Sequence, residues 1–103
     1  MGYLAPEQIC PAFGEIGPWT DVYGFGALLY ALLSGSPPYG VDYALGISRI
    51  LSDEQPAPLP SDVPPEICDV IMTSLRKDSK SRWMNLETIK QKLLDAFKFS
   101  KNW

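Results

Sequence analysis

Apolar residues recur along this chain with a helical period. The longest apolar run, Val22 to Leu33, has ten apolar residues of twelve, the other two being Gly24 and Gly26. The spacing predicts a helix capped by Thr20 or Asp21 and running to about Ser34, where Gly35 supplies a C-terminal stop and Pro37-Pro38 forbid continuation. No polar face interrupts it, so burial on every side is expected. Its two glycines cost roughly 1 kcal/mol each in helix propensity, which points to close packing there. Asp42–Ser52 carries a single stripe of Tyr43, Ile47, Ile50 and Leu51, and Pro56, Pro58 and Pro60 then predict an extended linker. A helix from about Pro65 to Arg76 places Ile67, Val70, Ile71 and Leu75 on one face, with Arg76 and Lys77 suited to the negative end of its dipole. A last helix, capped by Asn85, lines up Leu86, Ile89, Leu93, Ala96 and Phe97. Residues 1–19 read as loop, punctuated by Gly2, Pro6, Pro11, Gly14, Gly17 and Pro18, with one helical turn admissible at Pro6–Ile9. No segment alternates as a strand would, and no repeat is present. The pattern predicts an all-α fold of about four helices joined by Pro-rich loops.

Composition narrows the function. The 103 residues allow one domain at most, which would bury roughly 65% of its unfolded surface, enough for a small core. Hydrophobic content of 46% with 20% charged residues excludes disorder. Twelve acidic against nine basic residues give a net charge of −3, the wrong sign for a nucleic-acid footprint. The chain has no histidine, which removes Ser-His-Asp and Cys-His mechanisms and His-ligated zinc. Cys10 and Cys68 stand alone and read as buried, reduced thiols in a cytoplasmic setting. No targeting segment opens the chain, the myristoylation pattern fails at Pro6, and the twelve-residue apolar run falls short of the about 20 residues a bilayer span needs.

Most chemical motifs are absent or weak. Gly24-x-Gly26 begins like a dinucleotide-binding signature, but Leu29 stands at the last glycine position and the run lies inside an apolar helix. Asp53, Glu54, Asp62 and Asp95 are scattered and read as solvated charges. One constellation is specific. It comprises Gly2-Tyr3-Leu4-Ala5-Pro6-Glu7-Gln8, then Asp21-Val22-Tyr23-Gly24-Phe25-Gly26-Ala27-Leu28-Leu29-Tyr30 with Leu33-Ser34-Gly35-Ser36-Pro37-Pro38-Tyr39, and last Leu75-Arg76-Lys77-Asp78-Ser79-Lys80-Ser81-Arg82. In order and spacing these resemble the A-P-E segment that ends a protein-kinase activation loop, the central helix of the kinase C-terminal lobe with its following loop, and the Lys-Asp-Pro-x-x-Arg turn before the last helix of that lobe. The resemblance reaches to about Phe97. Tyr3 and the Pro-Pro-Tyr loop resemble serine/threonine rather than tyrosine kinases, and the style is similar to bacterial members. Ser79 departs from the pattern, where proline is usual.

That resemblance implies roles for individual residues. Gly2, Tyr3 and Leu4 match the loop on which the protein substrate docks. Glu7 matches a carboxylate that pairs with Arg82, and Asp21 one that accepts hydrogen bonds from the catalytic loop. By the same resemblance, residues 1–98 form the C-terminal half of a kinase C-lobe, and 99–103 a frayed end. The phosphate-covering Gly-rich loop, the β3 lysine, the H-R-D-x-x-x-x-N loop and the D-F-G metal ligand are all missing. The chain alone is therefore expected to be inactive and to hold no catalytic, cofactor or metal residue, with ATP and Mg²⁺ implied for a complete domain. Because the chain begins within the family's T-x-G-Y run, Met1 is expected to be an internal methionine of a longer protein or the start of a truncated gene. The expected function is that of scaffold and partial substrate dock in a serine/threonine kinase, its partners being the rest of the domain and a protein substrate. A non-catalytic interaction module left from a pseudokinase is the alternative. Neither nucleic acid nor a membrane segment is expected.

Overall fold

The computed structural model describes residues 3–99. Five helices follow in order: α1 (Pro6–Ile9), α2 (Pro18–Ser34), α3 (Tyr43–Ile50), α4 (Pro65–Ser74) and α5 (Leu86–Phe99), with 3₁₀ turns at Pro11–Phe13 and Ser79–Ser81. No strand occurs among the described residues, and the fold is all-α. None of these helices is long and apolar enough to cross a membrane.

Local chemistry sets the helix ends. Pro6 and Pro18 each stand in the first turn, where the missing N–H costs nothing. The α2 helix begins earlier than the expected Thr20 or Asp21 cap. Gly17 is the cap, and Thr20, inside the first turn, accepts the Gly17 N–H at 3.0 Å on its hydroxyl. It ends at Gly35, whose φ of 92° is left-handed and favours glycine. Asp42 caps α3 by accepting the Leu45 N–H at 2.8 Å, and Asn85 accepts the Thr88 N–H at 2.9 Å at the head of α5. The α4 helix stops at Ser74 rather than Arg76. Beyond it the backbone turns so that the carbonyls of Arg76 and Lys77 accept from the Arg82 guanidinium, at 2.6 and 3.3 Å. Arg76 and Lys77 thus do not serve the α4 dipole. The α5 helix includes Phe99, and the rest of the expected frayed end, 100–103, lies outside the described residues.

The α2, α4 and α5 helices pack on one another. Their core is Val22, Tyr23, Ala27 and Tyr30 from α2, Ile67, Val70 and Ile71 from α4, and Ile89 and Ala96 from α5, joined by Ala5, Leu59, Val63 and Leu75. Phenol hydroxyls pin the Pro-rich linker: Tyr30 donates to the Ala57 carbonyl at 2.6 Å and Tyr39 to the Glu54 carbonyl at 2.9 Å. Burial of α2 on every side is not what the structure shows. Phe25, Leu28 and Leu32 are exposed, Leu32 by 72%. Two amphipathic helices cover one flank of a helix that has no polar face, and its other flank stays bare. Cys10 and Cys68 are free and half-buried.

Close packing explains one α2 glycine. A Cβ added at Gly26 would lie 2.6 Å from the Ser74 Cβ, so glycine lets α2 and α4 approach. Ser74 is fully buried, so room for the methyl would have to come from a shift of one helix against the other. Gly26→Ala is expected to destabilise the chain by about 1–3 kcal/mol, the usual cost of overpacking, despite alanine's better helix propensity. A urea midpoint equal to or above that of the wild type would show that the contact can relax.

Candidate functional site

The site forms where α1 meets the head of α2 and the turn before α5. In α1, the Ala5 N–H donates to the Gln8 side chain at 2.8 Å, and this closed first turn aims Glu7 inward. Arg82 follows the 3₁₀ turn that Asp78 starts by accepting the Lys80 N–H at 3.2 Å. The turn therefore forms with Ser79 in the place of the family's usual proline.

Glu7 and Arg82 meet through two parallel hydrogen bonds, Nη1 to Oε2 at 2.6 Å and Nη2 to Oε1 at 2.9 Å, across 75 residues of sequence. Both side chains have 0% exposure. A buried ion pair repays its desolvation only when the remaining donors and acceptors are also satisfied, and here they are. The Thr20 hydroxyl donates to Glu7 Oε2 at 2.8 Å. Arg82 Nε donates to the Arg76 carbonyl at 2.6 Å, Nη1 also to the Trp19 carbonyl at 3.2 Å, and Nη2 also to the Lys77 carbonyl at 3.3 Å. Each of the five guanidinium N–H donors thus has an acceptor. The Tyr23 ring lies 4.9 Å from the Arg82 guanidinium carbon, within cation–π range. The Tyr23 hydroxyl is buried with no partner among the described residues, and burial pushes that phenol far up.

Burial alone would raise the Glu7 carboxyl. The hydrogen bonds from Arg82, the local backbone and Thr20, with the Arg82 charge, outweigh it and hold the carboxyl below its ordinary value.

The other expected site residues are placed as follows. Tyr3 is exposed and Leu4 half-buried, directly before α1. The Tyr3 carbonyl passes 3.6 Å from where a Gly24 Cβ would stand, so this loop crosses α2 at a glycine. Gly2 lies outside the described residues. Asp21 is exposed in the first turn of α2, apart from the ion pair, and makes no side-chain hydrogen bond among the described residues. Thr20, Tyr23 and the Trp19 carbonyl are members of the site that sequence reasoning missed. A signal existed for two of them, because Thr20, Tyr23, Ala27 and Tyr30 follow helical spacing on the buried face once α2 starts at Pro18.

Known proteins share this arrangement of segments. Residues 1–93 match the family model for protein tyrosine and serine/threonine kinases. The serine/threonine-protein kinase PknA of Mycobacterium tuberculosis is 38% identical over 82 residues, covering 79% of this chain and 18% of the relative. The serine/threonine-protein kinase PknB of Mycolicibacterium smegmatis is 34% identical over 97 residues, covering 89% of this chain and 15% of the relative. The 3-phosphoinositide-dependent protein kinase 1 of Caenorhabditis elegans is 30% identical over 112 residues, covering 92% and 17%. The chain belongs to the protein kinase family, and its helices are the C-lobe part of a serine/threonine kinase domain. It spans less than a fifth of the length of these relatives.

Two outcomes are expected at the ion pair. Arg82→Lys loses the two-pronged hold on Glu7 and leaves buried groups unpaired, so most of the about 3–5 kcal/mol cost of breaking a buried pair should appear. Urea unfolding of the variant measures it, and a loss below about 1 kcal/mol would assign the pair the weight of a surface contact. The second outcome concerns pH. A carboxyl depressed in the folded state stabilises fully above its unfolded pKa, about 4.3, and this is lost as pH falls through the lower folded value. The unfolding midpoint of the wild type should therefore drop below pH about 4.3 more steeply than that of Glu7→Gln. Parallel pH profiles would contradict this.

Proposed function

We propose that this chain serves as scaffold and part of the substrate dock of a serine/threonine protein kinase whose complete domain transfers the γ-phosphoryl group of ATP to serine or threonine of a protein. The observation that carries this reading is the buried two-pronged Glu7–Arg82 pair at the positions matched to the family's segment. The pair fixes α1, directly after Tyr3 and Leu4, against the turn before α5, and these two with Gly2 would receive the substrate chain. Exposed Asp21 would accept hydrogen bonds from the catalytic loop. Among the described residues no group of three or more carboxylates or thiols would seat a metal. ATP and Mg²⁺ are assigned to parts of a kinase domain other than these residues. Phosphoryl transfer is mostly positioning and electrostatics, and this segment would contribute positioning. The free Cys10 and Cys68 and the use of ATP support a cytoplasmic setting.

The test is a chimera in which residues 1–93 replace the matched segment of mycobacterial PknA. The chimera should label serine or threonine of a protein substrate from radioactive ATP within about tenfold of the parent, a loss of roughly 1.4 kcal/mol or less in barrier. In parallel, the chain alone should give no saturable heat with millimolar Mg-ATP. A folded chimera that incorporates no phosphate, or micromolar ATP binding by the chain alone, would overturn the reading.

A further inference from the structure

Helices α2, α4 and α5 share one core, and among the described side chains none of α3 belongs to it. Ile50, at the end of α3, is buried outside that core. A helix of eight residues has little stability of its own, so something else must hold α3 in place. Polar contacts gather at its C-terminal end. The Lys77 ammonium, from the segment between α4 and the next turn, donates to the Arg49 carbonyl at 2.8 Å and to the Ser52 carbonyl. These carbonyls lie at the negative end of α3, where a cation is favoured. The same ammonium lies 5.0 Å from the centre of the Tyr39 ring. Arg49 faces that ring at 5.6 Å, donates to the Tyr39 carbonyl at 3.2 Å, and binds Glu54 at 2.6 Å. The backbone of Lys77 is itself anchored, because its carbonyl accepts from Arg82.

We propose that Lys77 is a positioning residue that latches α3 to the three-helix core, so that α3 can be released without unfolding the rest. The latch runs from the core through Arg82 to the Lys77 backbone, and from the Lys77 side chain to the end of α3. It has the form of a local opening unit, set beside the three-helix core and tied at its C-terminal end by polar contacts. Burial disfavours the ammonium, Glu54 and Asp53 favour it and Arg49 opposes it; burial prevails and sets its pKa below the ordinary value.

Amide hydrogen exchange on the full chain, resolved by helix, tests this. In the wild type, α3 amides should be protected relative to an unstructured peptide. Lys77→Met should raise their exchange by about ten- to a hundredfold, in keeping with the loss of charge-assisted hydrogen bonds, and leave α4 and α5 within about threefold. Lys77→Arg, which keeps the cation over Tyr39, should restore most of the protection. Four results would each overturn the proposal: wild-type α3 exchanging at peptide rates, no change in Lys77→Met, no rescue by arginine, or a Lys77→Met chain that loses protection in all helices together or fails to fold.

Discussion

The structure depends on a carboxylate and a guanidinium that must be buried together or not at all. Glu7 and Arg82 are both sealed from solvent, and each would be a costly uncompensated charge alone. Their requirements explain features that no apolar contact does. The α4 helix gives up its last turn so that two backbone carbonyls reach Arg82. The first turn of α2 presents the Thr20 hydroxyl and the Trp19 carbonyl to the same pair. The ion pair thus joins the N-terminal loop, the head of the central helix and the approach to α5 at one point, and the hydrophobic core assembles beside it rather than around it.

That core is one-sided. Val22, Tyr23, Ala27 and Tyr30 are buried while Phe25, Leu28 and Leu32 of the same helix are not. The kinase family membership and the short span relative to its relatives give this a physical reading. The central helix has the composition of an element surrounded by protein, and these residues surround it on one flank. The segment at Tyr3 passes that helix at Gly24, and the ion pair holds α1, directly after it, in place.

Much of this is legible in the sequence, and the misses have identifiable causes. The four longer helices follow from apolar spacing, and the caps at Asp42 and Asn85 from residue type. The start of α2 is misplaced when Thr20 is taken for a cap, because Pro18 in the first turn makes it an interior residue reaching back to Gly17. The end of α4 is misplaced because Arg76 and Lys77 look like ordinary C-terminal cations, whereas their carbonyls leave the helix to accept from Arg82, six and five residues on. Glu7 and Arg82 are invisible to periodicity and stand out through family resemblance alone. Lys77 stands out as the lysine of the turn motif, but its contact with α3 carries no signal, since its partners lie 28 and 25 residues away on a different helix end.

The central claim is that Glu7 and Arg82 act as a unit, and a double-mutant cycle measures this most directly. Glu7→Leu, Arg82→Met and the double variant would be compared with the wild type by urea unfolding. Each single change strands a buried charge, whereas the double change removes both, so its cost should fall short of the sum of the singles by about 2 kcal/mol or more. Costs that add to within about 0.5 kcal/mol would contradict the account, because independent sites add and a shared buried pair does not.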